Sequence, residues 1–195
     1  IFPEVISPTQ SAFLPGRLIT DNVLVAYECF HAIKKKTHGS NGVCAVKLDM
    51  LKAYDRVEWG FLQRMMLKLG FNLSWVDMIM VCVSSVSYRI RFNDTETDEF
   101  MPTRGLRQGD PLSPYLFLLC SEGLSSLLAH EESIGGIEGL RVCRNAPSIS
   151  HLLFVDDSLI LMKATDQNAN TLKKILDTYC ASSGSGLVMQ NPVFF

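Results

Sequence analysis

The chain has 195 residues, of which 47% are apolar, and a formal net charge of −2. This length and composition suffice for one hydrophobic core, and no apolar run approaches the roughly eighteen residues that a membrane span requires. The slightly acidic balance is unfavourable for a protein whose whole surface would bind nucleic acid through positive charge. We expect a soluble, globular protein without a membrane-spanning helix.

The six cysteines show no CxxC spacing, and the four histidines are scattered along the chain. These patterns argue against a zinc site and against a disulfide framework. The first residues do not form a signal peptide. We therefore expect buried thiols in a reducing compartment and an intracellular protein, in the nucleus or the cytoplasm, that is not secreted. The sequence begins at Ile1 rather than Met, and we expect it to be a piece of a longer protein.

The first half of the chain contains patterns typical of both helices and strands. In chain order they predict a helix over residues 22–36, a strand over 43–49, helices over 59–69 and 74–84, and a hairpin with strands at 88–92 and 97–101. Thr20 and Asp21 can cap the first helix and Ser74 the third. The glycine-containing segment 39–42 and Gly70 can end the first and second helices.

The second half continues with a helix over residues 113–130, which Ser113 and Pro114 can begin. Apolar runs at 151–155 and 158–162 flank an acidic pair and predict a tight hairpin, and a last helix follows over 168–180. Helices and strands interleave without strict alternation. We expect an α+β fold with helices on one face of an antiparallel sheet.

The acidic pair is the most unusual feature of the sequence, because Asp156 and Asp157 are adjacent within an otherwise apolar segment. Neighbouring like charges disfavour each other, and an apolar setting raises that cost. A divalent cation would make the arrangement tolerable, although a surface turn that simply favours aspartate explains the pair equally well.

A third carboxylate, Asp49, ends the predicted strand 43–49. If the strands are neighbours, Asp49 can approach Asp156 and Asp157. Three carboxylates without an imidazole favour Mg²⁺ or Mn²⁺ over zinc. Such a site suits phosphoryl or nucleotidyl transfer with two metal ions, and the residues alone leave other two-metal enzymes open.

A loop with two glycines precedes the helix that begins at Ser113. Gly105 and Gly109 allow sharp bends or a close approach of a ligand, Gln108 offers a donor and an acceptor, and the helix N-terminus suits an anion. A plain connecting loop, with Arg107 as a solvated charge, is the alternative.

Four segments resemble, in order and spacing, the reverse transcriptases of LINE-type, non-LTR retrotransposons, particularly those of plants. Residues 47–59 (KLDMLKAYDRVEW) look like their first catalytic motif, 105–114 (GLRQGDPLSP) like their RQGxPLSP motif, and 154–157 (FVDD) like their (F/Y)xDD box. Residues 11–17 (SAFLPGR), continuing to Asp21 and Asn22, are similar to the segment that joins fingers to palm. The match covers nearly the whole chain, and four such motifs in order are highly specific.

The resemblance implies an RNA-directed DNA polymerase that binds an RNA template, a DNA primer and deoxynucleoside triphosphates. It implies a partial fingers region with a connecting helix over residues 1–42 and a palm over 43–195 that stops before the thumb. By the same resemblance, Asp49, Asp156 and Asp157 are the catalytic and metal-binding residues, with two Mg²⁺ ions as cofactors and Mn²⁺ as an alternative. Oligomeric state is not implied.

The resemblance also assigns residues to the nucleotide and the template. Tyr54 stands where the family carries an aromatic gate against the ribose 2′-hydroxyl, and Gln108, with Gly109 and Arg107 beside it, would contact the template or the incoming nucleotide.

The chain departs from the family pattern at two places. Val155 stands where members usually have Ala. The segment after Cys180 loses the family register and contains no lysine up to residue 195, where members carry a lysine thought to assist phosphoryl transfer. Two alternatives therefore accompany the main interpretation: a maturase-type reverse transcriptase of a mobile intron, and a degenerate palm that at most binds RNA.

Overall fold

Helices and strands are interspersed along the chain, as the sequence predicts. A computed structural model describes residues 2–35, 42–190 and 192–194. The helices are α1 (Phe2–Val5), α2 (Ile19–Lys35), α3 (Trp59–Lys68), α4 (Leu73–Ser84), α5 (Ser113–Ser133) and α6 (Asp166–Ser183). The strands are β1 (Val43–Leu51), β2 (Arg91–Phe92), β3 (Thr95–Glu96), β4 (His151–Phe154), β5 (Asp157–Lys163), β6 (Gly186–Met189) and β7 (Val193–Phe194).

The main sheet is antiparallel, and β1 lies at its centre. Its strand order is β4-β5-β1-β6, and β7 also pairs with β1. Strand β1 pairs with β5 from Val43 opposite Lys163 to Leu48 opposite Ser158. The α+β fold with an antiparallel sheet is thereby confirmed, while β6 and β7 are additions that the sequence patterns did not predict.

The core lies on one face of this sheet. Alternate residues of β1 (Cys44, Val46, Leu48 and Met50) pack there against helices α3 to α6 in one large apolar cluster. Helix α2 instead covers part of the opposite face, where its Cys29 and Ile33 join a second cluster that includes residues of β1 and β5. The expectation of helices on one face therefore holds for α3 to α6 and is wrong for α2.

The first long helix begins earlier than predicted. Thr20 and Asp21 lie inside the first turn of α2, and Asp21 Oδ2 accepts a hydrogen bond from the backbone N–H of Leu18, 2.8 Å away. An acidic residue at the third helical position can reach back in this way to the residue before the helix. The predicted end of this helix, at residues 36–41, lies outside the described residues.

Two other helices use different caps from those predicted. Asn72, rather than Ser74, caps α4, because its side chain accepts the N–H of Ser74. Ser113 is the first residue of α5 and not its cap; Asp110 accepts the N–H of Leu112 just before that helix. An upstream asparagine thus replaces the expected serine as the cap of α4, whereas the N-cap position of α5 is Leu112, which makes no side-chain capping bond.

The segment after α6 is held in place by a close backbone approach. Thr165 caps α6 by accepting the N–H of Asn168, and Gly184 ends the helix with a φ of 75°. A Cβ atom at Gly184 would lie 2.8 Å from the backbone oxygen of Arg56. Glycine therefore allows the chain to turn from α6 directly into β6.

The strands of the small hairpin are shorter than predicted, and the second, Thr95–Glu96, lies before the predicted range 97–101, but the turn is as expected. Asn93 and Asp94 both have positive φ, 49° and 62°, as a type I′ turn requires. The cysteines are all free; Cys29, Cys44 and Cys120 are buried, whereas Cys82 and Cys143 are exposed, so the expectation of uniformly buried thiols is wrong. Within the described ranges, no helix combines the length and apolar character needed to cross a membrane.

Candidate active site

Three predicted carboxylates lie at one end of the central sheet. Because Leu48 is paired with Ser158, one further step along the two strands places Asp49 opposite Asp157. Asp156 lies in the turn that joins β4 to β5. Residues that face each other across an antiparallel pair point to the same side of the sheet, so Asp49 and Asp157 share the side opposite the main core.

Lys47 lies among these carboxylates. Its Nζ atom is 3.0 Å from Oδ1 of Asp157, and both side chains are about half exposed. The hydrogen bond to Asp157 and its charge raise the pKa of Lys47, and the charges of Asp49 and Asp156 raise it further. All three carboxylates thus act electrostatically on one cation. The sequence interpretation missed this residue, although its position two residues before Asp49 places it on the same strand face.

The turn that carries the acidic pair is strained. The predicted hairpin is present, but its two turn residues are Val155 and Asp156, and β5 begins at Asp157, one position earlier than predicted. Val155 has a φ of 54°, a conformation that β-branched residues rarely adopt and that glycine usually supplies in such a turn. Strain of this kind is concentrated at functional sites.

Tyr54 lies beside the acidic turn. Its ring stacks on Phe117 of α5, with 5.0 Å between the centroids. Burial raises the pKa of the Tyr54 hydroxyl, and the charge of Asp156 raises it further. The ring therefore has a rigid base in the core and a polar edge within the field of the acidic turn.

The glycine-containing loop is docked onto the segment that follows β1. The N–H of Leu106 donates to the oxygen of Tyr54, and the N–H of Gly105 donates to the oxygen of Val57, both at 2.8 Å. Gly105 has a φ of 92°, and a Cβ atom there would lie 2.9 Å from the oxygen of Asp55. Two segments that are about fifty residues apart in sequence thereby form one unit beside the carboxylates.

The outer part of the same loop is exposed. Arg107 pairs with Asp110 at 2.6 Å, so its guanidinium has an internal partner and is more than a solvated charge. Gln108 and Gly109 are exposed on this loop. Gly109 has a φ of 87°, and among the described residues no atom lies within 4 Å of the place that a Cβ would take there. These residues face solvent on the same loop that contacts the backbone of Tyr54.

The chemistry of the donors fits a hard divalent cation, because all three are carboxylates. Over the described ranges, however, no group of three or more His, Cys, Asp or Glu side chains is arranged closely enough to hold a metal. The ion pair with Lys47 engages one of these carboxylates, Asp157.

The segment that departs from the family pattern lies directly beside the carboxylates. Strand β6 pairs with β1 so that Val188 is opposite Asp49. The segment thus retains a place at the site although it has no lysine.

An antiparallel sheet backed by helices, with aspartates at the end of its central strands, defines a polymerase palm. The model of the family "Reverse transcriptase (RNA-dependent DNA polymerase)" matches residues 1–190, and the chain belongs to this family. Members of the family use divalent metal ions.

Curated relatives agree with this assignment. A Pol polyprotein of the type-1 retrotransposable element R2 from Popillia japonica is 30% identical over 159 residues, which make up 80% of this chain and 21% of that protein. An uncharacterised mitochondrial protein of Arabidopsis thaliana is 60% identical over 57 residues, or 29% of this chain and 47% of that protein. The resemblance to non-LTR retrotransposon reverse transcriptases is confirmed, and the chain spans less than half the length of either relative.

Solved structures share the fold. Telomerase from Candida tropicalis, in complex with a TWJ fragment of telomeric RNA, has a TM-score of 0.61 at 15% identity, over 91% of this chain and 29% of that one. The corresponding complex from Candida albicans has a TM-score of 0.63 at 13% identity, over 91% and 30%.

Proposed function

We propose that this chain is the nucleotidyl-transfer core of an RNA-directed DNA polymerase that copies retrotransposon RNA into DNA. The primer 3′-hydroxyl would attack the α-phosphate of a deoxynucleoside triphosphate, and pyrophosphate would leave. The proposal rests on membership of the reverse-transcriptase family and on Lys47, which pairs with Asp157 at 3.0 Å and whose pKa is raised further by the charges of Asp49 and Asp156.

Asp49, Asp156 and Asp157 are the proposed metal ligands, with Mg²⁺ as the preferred ion and Mn²⁺ as an alternative. Two bound ions would supply electrostatic stabilisation of the charge that develops on the reacting phosphate. The protein itself supplies the carboxylates at fixed positions on β1 and on the β4–β5 hairpin. Lys47, now paired with Asp157, would have to move away from that carboxylate.

Contacts with the nucleotide and the template would come from elements that lie next to the carboxylates. Tyr54 would limit space at the sugar, since its ring is backed by Phe117 and cannot retreat into the core. Gln108 and Gly109 would contact the template or the base of the incoming nucleotide from the exposed loop. Arg107 would hold this loop through its pair with Asp110 more than it would hold phosphate.

We propose the same domain division as the sequence suggests. Residues 1–42 would form a partial fingers region with its connecting helix, and residues 43–195 a palm that ends before the thumb. An RNA template, a DNA primer and deoxynucleoside triphosphates would be the partners of the full-length protein, acting in the nucleus or the cytoplasm.

The test is primer extension on an RNA template by the full-length protein that contains this chain. Asp156→Asn keeps the size of the side chain and removes its charge, and we expect a loss of activity of about a hundredfold or more. Asp177→Asn, an exposed position of α6, is the matched control and should retain activity. Extension by the Asp156→Asn protein at the unmodified rate would contradict the proposal, and a correctly folded but inactive unmodified protein would favour the degenerate palm that only binds RNA.

A further inference from the structure

The segment before α2 runs alongside the edge of β4. The N–H of Leu153 donates to the oxygen of Thr9 at 2.9 Å, and the N–H of Ser11 donates to the oxygen of Leu153 at 3.4 Å. Asn22 of α2 reinforces this junction, because its side-chain amide donates to the oxygens of both Thr9 and Leu153. Residue 10 is thereby held next to the last residues of β4, just before the acidic turn.

The side chain of Gln10 reaches the turn itself. It is 1% exposed, and its Oε1 atom accepts the N–H of Ala12 at 3.0 Å and the N–H of Val155 at 3.3 Å. Two backbone donors that meet at one atom identify that atom as the amide oxygen. The side chain of Gln10, which lies outside the hairpin, therefore holds the backbone of Val155, the turn residue with a positive φ.

The nitrogen of the Gln10 amide shows that packing alone does not explain why a glutamine occupies this position. Gln10 Nε2 is buried and has no hydrogen-bond partner within the part of the chain that the structure describes. An unpaired buried donor is unfavourable, and an apolar side chain of the same length would avoid it. The contribution of the Gln10 amide is thus its oxygen, and one of the two groups bound to that oxygen is the strained Val155.

The backbone conformation of Val155 requires a stabilising contact of this kind. A β-branched residue with a φ of 54° persists only where the surroundings enforce the conformation. If the N–H of Val155 lost its acceptor, the backbone could relax toward negative φ. Asp156 follows Val155 directly and Asp157 comes next, so relaxation would move both carboxylates relative to Asp49.

We propose that Gln10 is a positioning residue that holds the strained Val155 turn and, through it, the carboxylates of Asp156 and Asp157. This proposal rests on the proposed function for its effect on catalysis, but the contact itself can be tested without activity. Gln10 would not touch substrate or metal; it would act through the backbone of the turn.

The experiment combines two substitutions in the full-length protein. Gln10→Met keeps the length of the side chain and removes the acceptor, and Val155→Gly removes the steric cost of a positive φ. We expect Gln10→Met to lower kcat for primer extension about tenfold with little change in the KM for deoxynucleotide, and only about twofold in the Val155→Gly background. Glycine at position 155 would thus rescue much of the loss.

A second measurement does not depend on activity. Amide hydrogen exchange of the peptide that contains Val155 should become at least about fivefold faster in Gln10→Met. Ser125→Ala is the control for general loosening of the same junction, because its hydroxyl contacts Thr9 and His151 but not the turn. It should lower thermal stability without the same change at Val155.

The outcomes separate this inference from the proposed function. Equal losses of kcat in both backgrounds, or unchanged exchange at Val155 in Gln10→Met, would overturn the positioning role. If the unmodified protein does not extend primers, the proposed function fails, whereas faster exchange at Val155 would still support the contact between Gln10 and the turn.

Discussion

Strand β4 has a polar side chain at its first residue and others in the turn that follows it. The two sets of side chains differ in burial and in pairing. At its start, His151 is buried; its Nε2 atom lies 2.8 Å from the hydroxyl of Ser125, and its Nδ1 atom lies 2.9 Å from that of Ser150. Burial lowers the pKa of His151 to about 4, partly opposed by the charge of Glu132. This histidine is neutral near pH 7, and both ring nitrogens have partners.

The turn after β4 shows the opposite arrangement. Asp156 is half-buried and Asp157 is exposed, and their charges act with that of Asp49 on the single ammonium of Lys47. Polar groups that are buried and paired contribute to the structure, whereas like charges gathered at an accessible edge remain available for a ligand. Burial and pairing, rather than residue type, therefore separate the structural polar cluster from the proposed catalytic one.

The largest effect should come from removing one charge at the acidic end, the end of the sheet that carries Asp49, Asp156 and Asp157. We expect Asp49→Asn to lower primer extension about a hundredfold or more, because a carboxylate of the proposed metal site is lost, with a change of at most about 1 kcal/mol in the free energy of unfolding. Primer extension and urea unfolding measure the two quantities. Ser150→Ala, at the buried start of β4, is the matched variant. It should lower stability while activity per folded molecule is kept. Equal losses of activity in both variants would contradict the distinction between the buried polar cluster and the acidic turn.

Acid should lower the stability of the protein through His151, at the buried start of β4. The pKa of His151 is about 4 in the folded protein and about 6.5 when unfolded, so the unfolded state binds the proton more readily between these values. The stability contribution of His151 is complete above about pH 6.5 and is lost as the pH falls toward 4, by roughly 3 kcal/mol at most. Urea unfolding from pH 7 to 4 measures the slope, and His151→Phe should reduce it. An unchanged slope in that variant would assign the acid sensitivity to other groups.

The aromatic ring beside the acidic end should decide sugar selectivity. We expect Tyr54→Val to increase incorporation of ribonucleotides relative to deoxynucleotides about tenfold or more, since the ring that would exclude a 2′-hydroxyl is removed. Competitive incorporation assays measure the ratio. Tyr54→Phe keeps the ring on Phe117 and should keep the selectivity, so relaxed selectivity in both variants would argue against a steric gate.

The smallest effect should come from the ion pair at the acidic end. Lys47 and Asp157 are about half exposed, and pairs of this kind contribute little to stability. We expect Lys47→Met to leave the urea midpoint unchanged and to lower the Mg²⁺ concentration for half-maximal extension about twofold, because a competing cation is removed. Lys163→Met, which removes the pair with Glu138 at the other end of β5, should leave the Mg²⁺ requirement unchanged. A higher Mg²⁺ requirement in Lys47→Met would indicate that Lys47 supports the site rather than competes within it.

Periodicity was a good guide to the longer elements. Strand β1, helices α3 to α6 and the acidic hairpin all lie within a few residues of the predicted ranges, because each buries apolar side chains in the core. The short strands β6 and β7 could not be predicted in this way, since they depend on the free edge of β1 rather than on a pattern of their own. The cap at Asn72 was missed because neighbouring polar residues can also serve as caps.

The sequence by itself determined the family, the order of its motifs and the identity of Asp49, Asp156 and Asp157 as candidate ligands. These depend on residue type and spacing, which are properties of the linear chain. Only the tertiary structure decided that Leu48 pairs with Ser158 beside the carboxylates, that Lys47 pairs with Asp157, and that Gln10 contacts Val155. Those relations join segments that are far apart in sequence, and they arise from strand register and burial, which local patterns do not specify.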